Sequence, residues 1–309
     1  METQLTFIVY IVVGCFLCLW GIRYALILKN TAEMKTQLAQ FTPIEDLDLY
    51  YESRPRIYGG SSKQPHALLM LHGYSGSTNE FDTLTKTLEQ AQIPYYAPML
   101  TGFGLNNFRL LNEVAPADWL RDAIVAYDAL AAVAHSISIL GHSTGGTIAM
   151  YVASHRPVKH LVLSGPNIFP SPTDKKYKAI SQTPILSDLI RWCLPIFSKP
   201  VRPGRVVSAD TLDSEVALSA MTYRALPTHS LCVQWLLQDM VDVSKAEFED
   251  LTLIYGEHDV TVDMDSLIEQ LEKRQISYQS FSFANSAHNV LQDYDRDDVA
   301  EKIRDVLVQ

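Results

Sequence analysis

Cysteine is scarce in this chain, and so is positive charge. Four cysteines occur in 309 residues, and two of them, Cys15 and Cys18, fall inside an apolar N-terminal run. Only Cys193 and Cys232 remain for the body, which excludes a disulfide framework and suits a reducing compartment. A Cys-x-x-Cys pair inside a membrane-type helix reads as two small apolar residues rather than a redox or metal motif. Lys and Arg number 25 against 35 Asp and Glu, a formal net charge of −10 at pH 7. No basic cluster offsets that balance, which argues against nucleic acid as a partner. The histidines show no metal-ligand spacing, so no metal is expected. No internal repeats and no low-complexity tracts occur.

Charge is also missing from Leu5 to Ile22, and the apolar character resumes after Arg23 as far as Leu28. That length spans a hydrocarbon core of about 30 Å as a helix. A cleaved signal peptide needs a basic n-region and a small-x-small site, and neither is present. Val12-Val13-Gly14-Cys15 faintly resembles a lipoprotein cleavage site, but the residues after Cys15 stay apolar where a lipoprotein turns polar. The expectation is an uncleaved single-pass anchor over residues 5–28 and a linker over 29–49, in which Asn30–Gln40 reads as a short polar helix. Arg23, Lys29 and Lys35 follow the span and no Lys or Arg precedes it. The positive-inside rule then puts the body on the cytoplasmic side of a membrane.

The remaining residues, 50–309, carry a globular composition, and overall 47% of the chain is hydrophobic and 19% charged. Short apolar runs read as strands at His66–Leu71, Ser136–Leu140, Val158–Leu163 and Leu251–Tyr255, Tyr95–Pro98 reads as a strand end, and Ser277–Phe283 alternates as a strand. Helical patterns separate them at Asn79–Gln92, Ala117–Ala134, Gly146–Ser154 and Ser266–Gln275, and Asp297–Val308 closes the chain. Strands alternating with helices predict an α/β domain with a mostly parallel central sheet covered on both faces. The interval 167–250 breaks the alternation. It shows no buried strand, many prolines, and short apolar helices such as Ser187–Phe197 and Thr228–Val243. It reads as a helical cap insertion over the sheet edge, with Trp192, Phe197 and Trp235 expected to line a substrate pocket.

The most informative stretch is Gly141-His142-Ser143-Thr144-Gly145. A strand runs into this G-x-S-x-G pentapeptide and a helix runs out of it, which is the context of a nucleophile elbow. A serine hydroxyl needs a base within hydrogen-bond reach, and the base needs an orienting carboxylate. Asp259 follows one late strand and His288 follows the next, giving the order Ser143, Asp259, His288. Glu257 and Asp263 are rival acids. An oxyanion needs two donors. The backbone N–H of Thr144, just after the serine, is one. The N–H of Tyr74 in His72-Gly73-Tyr74 is the other, with Gly73 permitting close approach of the backbone.

Several segments carry a resemblance. They are Leu71-His72-Gly73-Tyr74-Ser75-Gly76-Ser77, Tyr96-Ala97-Pro98-Met99-Leu100-Thr101-Gly102-Phe103-Gly104, Ala117-Asp118-Trp119, Gly141 to Gly145, Gly256 to Val262 and Ser286-Ala287-His288. Together they make the chain, from about His66 onward, resemble the α/β-hydrolase superfamily and within it the bacterial carboxylesterase and monoacylglycerol lipase group. The chain departs from that group at Phe103, where a His is usual. The resemblance implies a carboxylic ester hydrolase acting on short- or medium-chain acyl esters or monoacylglycerols, with no cofactor. Its partners would be a small-molecule or lipid-like ester and the membrane. No protein partner is indicated. A thioesterase, an amide hydrolase or an acyltransferase would share the acyl-enzyme, and a non-catalytic membrane-anchored binding protein could sit on the same fold.

Overall fold

The computed structural model describes residues 2–59, 63–199, 201 and 210–308. Helix α1 (Glu2–Leu38) leads to a ribbon of β1 (Pro43–Ile44) and β2 (Leu49–Tyr50), and then to β3 (Arg56–Tyr58). Three strand–helix steps and a further strand follow. They are β4 (Gln64–Leu71) with α2 (Asp82–Gln90), β5 (Tyr95–Ala97) with α3 (Pro116–Val133), β6 (Ala134–His142) with α4 (Thr144–Ala153), and β7 (Val158–Ser164). The interval before the next sheet strand holds α5 (Pro172–Ser181), α6 (Pro184–Cys193), β8 (Ile196–Ser198), α7 (Ser214–Ser219), β9 (Ala225–Pro227) and α8 (Thr228–Asp239). The chain closes with β10 (Phe248–Gly256), α9 (Met264–Lys273), β11 (Gln279–Phe283) and α10 (Arg296–Leu307).

Among the described residues the main sheet has the order β11-β10-β7-β6-β4-β5-β3, parallel throughout except for the antiparallel edge strand β3. Its central strands bury both faces, which is why they read as continuous apolar runs. Within β4, Leu68 and Met70 join the core formed with α2 and α10, whereas Ala67, Leu69 and Leu71 join the core formed with α3 and α4. This is the α/β-hydrolase fold. It places the C-terminal ends of β4, β6, β7, β10 and β11 along one edge, where the loops carrying polar residues emerge.

Two expectations require correction. The interval 167–250 does contain a strand pair. β8 and β9 pair antiparallel, with Ile196, Ala225 and Leu226 buried, so Phe197 lies on a strand and not on a helix. Three-residue strands, one ending in Pro227, are too short to show a period of two. Residues 200 and 202–209 of the expected cap lie outside the described residues. The second correction concerns 29–49, expected as a linker. α1 continues unbroken through Leu38, burying Met34 and Leu38, and the β1–β2 ribbon packs Phe41 edge-on against Tyr50. The buried face holds polar Asn30 and Gln37 beside the two apolar residues, so its amphipathic signal is weak.

The first half of α1 is different. Phe7 through Leu28 present exposed apolar side chains, and the helix is long and apolar enough to cross a membrane. Phe16 nevertheless stacks on Trp192 at 5.6 Å between ring centroids, and the Arg23 side chain donates to the Trp192 carbonyl at 2.8 Å.

Candidate active site

Ser143 sits between β6 and α4 with φ 53° and ψ −116°, a conformation that a residue with a side chain rarely adopts and that costs about 1–3 kcal/mol. The surroundings hold it there. The Ser143 N–H donates to the Ser164 carbonyl at 2.9 Å, and the Asn167 N–H donates to the Ser143 carbonyl at 3.0 Å. The turn works only because Gly145 has no side chain: a Cβ there would lie 2.0 Å from the Leu71 carbonyl oxygen and force β4 away.

The three side chains singled out by the sequence meet. His288 Nε2 lies 2.9 Å from Ser143 Oγ, and His288 Nδ1 lies 2.8 Å from Asp259 Oδ2. A carboxylate only accepts, so Nδ1 carries the proton and Nε2 is left as the acceptor facing the serine hydroxyl. Burial alone would raise the Asp259 carboxyl. The neighbouring His288 and the Thr261 and Val262 amides outweigh it and hold Asp259 below the ordinary carboxylate value, so it is ionised at neutral pH. The rival acids are occupied elsewhere. Glu257 accepts from the Ser282 hydroxyl at 3.0 Å, and Asp263 caps α9 by accepting from the Ser266 N–H at 3.0 Å.

The loop after β4 comes up against the serine. A Cβ on Gly73 would lie 3.3 Å from Ser143 Cβ. Among the described residues, the Tyr74 and Thr144 N–H groups, expected from the sequence as oxyanion donors, have no backbone or side-chain acceptor. Phe103, at the position where the resemblance expects His, packs edge-on beneath Tyr74 at 5.8 Å and stacks on Trp119 at 5.4 Å. His72 is buried and neutral. Its Nε2 accepts the Leu100 N–H at 3.1 Å, so its Nδ1 donates to the Gly73 carbonyl at 2.9 Å.

Glu80 was not foreseen. It lies buried under this loop and accepts the Gly73 N–H at 2.9 Å, and burial pushes its carboxyl up to about 7 against the opposing pull of Gly73, His288 and Lys199. In sequence it is one acidic residue in a helical run, and nothing local marks it.

A cavity of about 390 Å³ opens over Ser143 and His288. Gly73, Tyr74 and Phe197 line it. Trp192 and Trp235 are not among its lining residues: Trp192 stacks on Phe16 of α1, and Trp235 is buried beside α5 and α6. The lining is more polar than the apolar cap sequence suggested. Ser75, Lys199, Gln234, Thr261, Asn289 and Gln292 are among the polar residues that line it.

Comparison with known proteins finds esterases and lipases among the relatives. A carboxylesterase of Bacillus subtilis (strain 168) is 28% identical over 110 residues, covering 35% of this chain and 43% of the relative. A thermostable monoacylglycerol lipase of Bacillus sp. (strain H-257) is 27% identical over 93 residues, covering 30% of this chain and 37% of the relative. The matches therefore span less than half the length of either curated relative. A solved structure of LipS and LipT, two metagenome-derived lipolytic enzymes, superposes with a TM-score of 0.68 at 15% identity, covering 84% of this chain and 99% of that one, and so shares the fold. The family model described as serine aminopeptidase, S33, matches residues 62–295, and the chain belongs to that family of α/β-hydrolases.

Proposed function

We propose that the protein is a serine hydrolase of carboxylic esters, working through an acyl-enzyme on Ser143. The observation that carries this reading is the continuous hydrogen-bonded line from Ser143 Oγ through His288 to Asp259 at the floor of the cavity. In this scheme Ser143 Oγ attacks the ester carbonyl carbon as His288 Nε2 takes its proton. The Tyr74 and Thr144 N–H groups bind the oxyanion, and the protonated imidazole, stabilised by Asp259, gives its proton to the departing alcohol. Water then repeats the sequence on the acyl-enzyme and releases the acid.

The esterase and monoacylglycerol lipase relatives favour ester over peptide substrates. The lining supports an ester with an apolar acyl group and a hydroxylated alcohol, as in a monoacylglycerol. Phe197, Met221 and Leu231 offer apolar contact, and the polar lining residues Gln234, Asn289 and Gln292 suit alcohol hydroxyls. In the same reading the apolar run of α1 is a membrane anchor, with the body on the cytoplasmic side. The Phe16–Trp192 stack supports lipid access, because it sets α6, with exposed Ile185, Leu186 and Leu189, beside that run.

The deciding experiment is labelling with a fluorophosphonate. Wild type should be labelled and Ser143→Ala should not, while both fold alike. Persistent labelling of the folded variant overturns the assignment. A panel of p-nitrophenyl esters, monoacylglycerols, acyl-CoA thioesters and aminoacyl anilides then separates ester hydrolysis from its rivals.

A further inference from the structure

The last turns of α1 hold backbone groups of the inserted cap. Asn30, Met34 and Gln37 lie three or four residues apart on one helix face, and all three are buried. The Asn30 amide donates to the Ile196 carbonyl at 2.9 Å and accepts from the Ser198 hydroxyl at 3.0 Å. The Ala225 N–H donates to the Met34 sulfur at 3.1 Å. Gln37 grips both sides of Tyr223: its Nε2 donates to the Thr222 carbonyl, and its Oε1 accepts the Arg224 N–H at 3.2 Å.

That segment in turn holds the loop beside the serine. The Tyr223 N–H donates to the Ser75 carbonyl at 2.8 Å, and the Thr222 hydroxyl donates to the same oxygen at 3.1 Å. Lys199 Nζ donates to Ser75 Oγ at 2.9 Å. Ser75 has φ 67°, a left-handed conformation that persists only where neighbours impose it. Ser75 directly follows Tyr74. The Tyr74 N–H therefore lies between two fixed peptides, one held by Glu80 at Gly73 and one held by Thr222 and Tyr223 at Ser75.

We infer that Gln37, on the helix that carries the apolar N-terminal run, is a positioning residue for the Tyr74 N–H. Its buried amide fixes the Thr222–Arg224 backbone, that backbone fixes Ser75, and Ser75 fixes the aim of the donor. The inference rests on the reading of Ser143 as nucleophile and Tyr74 as oxyanion donor. Loss of a whole oxyanion donor costs about 10²–10³ in kcat, so misaiming one should cost about tenfold.

The test uses the full-length protein with active sites titrated by a fluorophosphonate. Gln37→Met, which fills the same space without hydrogen bonds, should lower kcat per titrated site about tenfold on a soluble p-nitrophenyl ester, with little change in KM. Affinity for a trifluoromethyl ketone, whose tetrahedral adduct uses the oxyanion donors, should fall by the same factor. Thr222→Val, which leaves α1 untouched, should show the same pattern and decides the matter where Gln37→Met does not fold. Unchanged kcat per titrated site and unchanged ketone affinity, with only a lower melting temperature, would overturn the inference. Wild type that takes no label, or Ser143→Ala that keeps it, overturns the reading of the site and the inference with it.

Discussion

The backbone N–H of Gly73 points at Oε2 of Glu80 across 2.9 Å, so a buried carboxyl supports the loop that faces Ser143. Burial raises that carboxyl to about 7 in the folded protein. The native state therefore keeps a proton that the unfolded chain releases at ordinary carboxylate pH. With more protons bound in the native state, stability falls as pH rises between those two values, and the loss is complete above about 7. Glu80→Gln keeps an acceptor for Gly73 and removes the titration. Its stability relative to wild type should rise by about 1–3 kcal/mol between pH 5 and pH 8, read from urea midpoints. A difference that does not vary with pH would show that Glu80 does not titrate there. Glu80→Ala leaves the Gly73 N–H without its acceptor and should lower kcat at every pH.

Asp259 is the only one of the three candidate acids bonded to His288, since Glu257 is bound to Ser282 and Asp263 to α9. Asp259→Asn can present an amide N–H to Nδ1 and so favour the wrong imidazole tautomer. Turnover should fall by about 10⁴, the scale seen for the equivalent change in a serine protease. Glu257→Gln should stay near wild type. The reverse pattern in steady-state assays on the two purified variants would reassign the acid.

What was legible in the sequence divides along physical lines. Parallel strands buried on both faces leave continuous apolar runs, so β4, β6, β7 and β10 could be read directly, and the loops after β6, β10 and the alternating β11 held Ser143, Asp259 and His288. The β8–β9 pair was hidden because three residues cannot display a period, and the docking of α1 was hidden because half of its buried face is amide. Apolarity also does not say which cavity a side chain lines. Trp192 and Trp235 are as apolar as Phe197, yet one rests on Phe16 of α1 and the other is buried beside α5 and α6. Glu80 was illegible for the opposite reason: its role depends on burial, which composition does not report.

Three histidines make acid sensitivity a second expectation. Burial lowers His66 and His72 to about 4 and His142 to about 3, with Lys159 and His160 adding to the shift at His66 and His288 adding to it at His142. Each is neutral in the folded protein and protonates more readily when unfolded. Their contribution is therefore complete above about 6.5, the unfolded value, and is lost as pH falls toward 4. His66→Gln should flatten the dependence of stability on pH between 4 and 6 by up to about 1.4 kcal/mol per pH unit, one proton's worth. An unchanged slope in denaturant titrations would mean that His66 is not held neutral.

Truncation separates the two halves of α1. Residues 7–22 touch the body chiefly through Phe16 on Trp192, whereas Arg23, Asn30, Met34 and Gln37 are bonded to or buried against the cap. Removing residues 2–22 should release the protein from lipid vesicles in a flotation assay while leaving kcat/KM on a soluble ester near that of the full chain. Removing residues 2–38 does more. It strips Met34 and Leu38 from the core, each worth about 2 kcal/mol, and frees the backbone of Ile196 and of Thr222–Arg224. The melting temperature should then fall by several degrees and kcat/KM should drop with it, because Phe197, Lys199 and Thr222 on that backbone line the cavity. Two results would count against this division. If the shorter truncation still floats with vesicles, attachment lies outside the apolar run. If the longer one is as stable and as active as the shorter, the part of α1 beyond its apolar run contributes nothing to the cap.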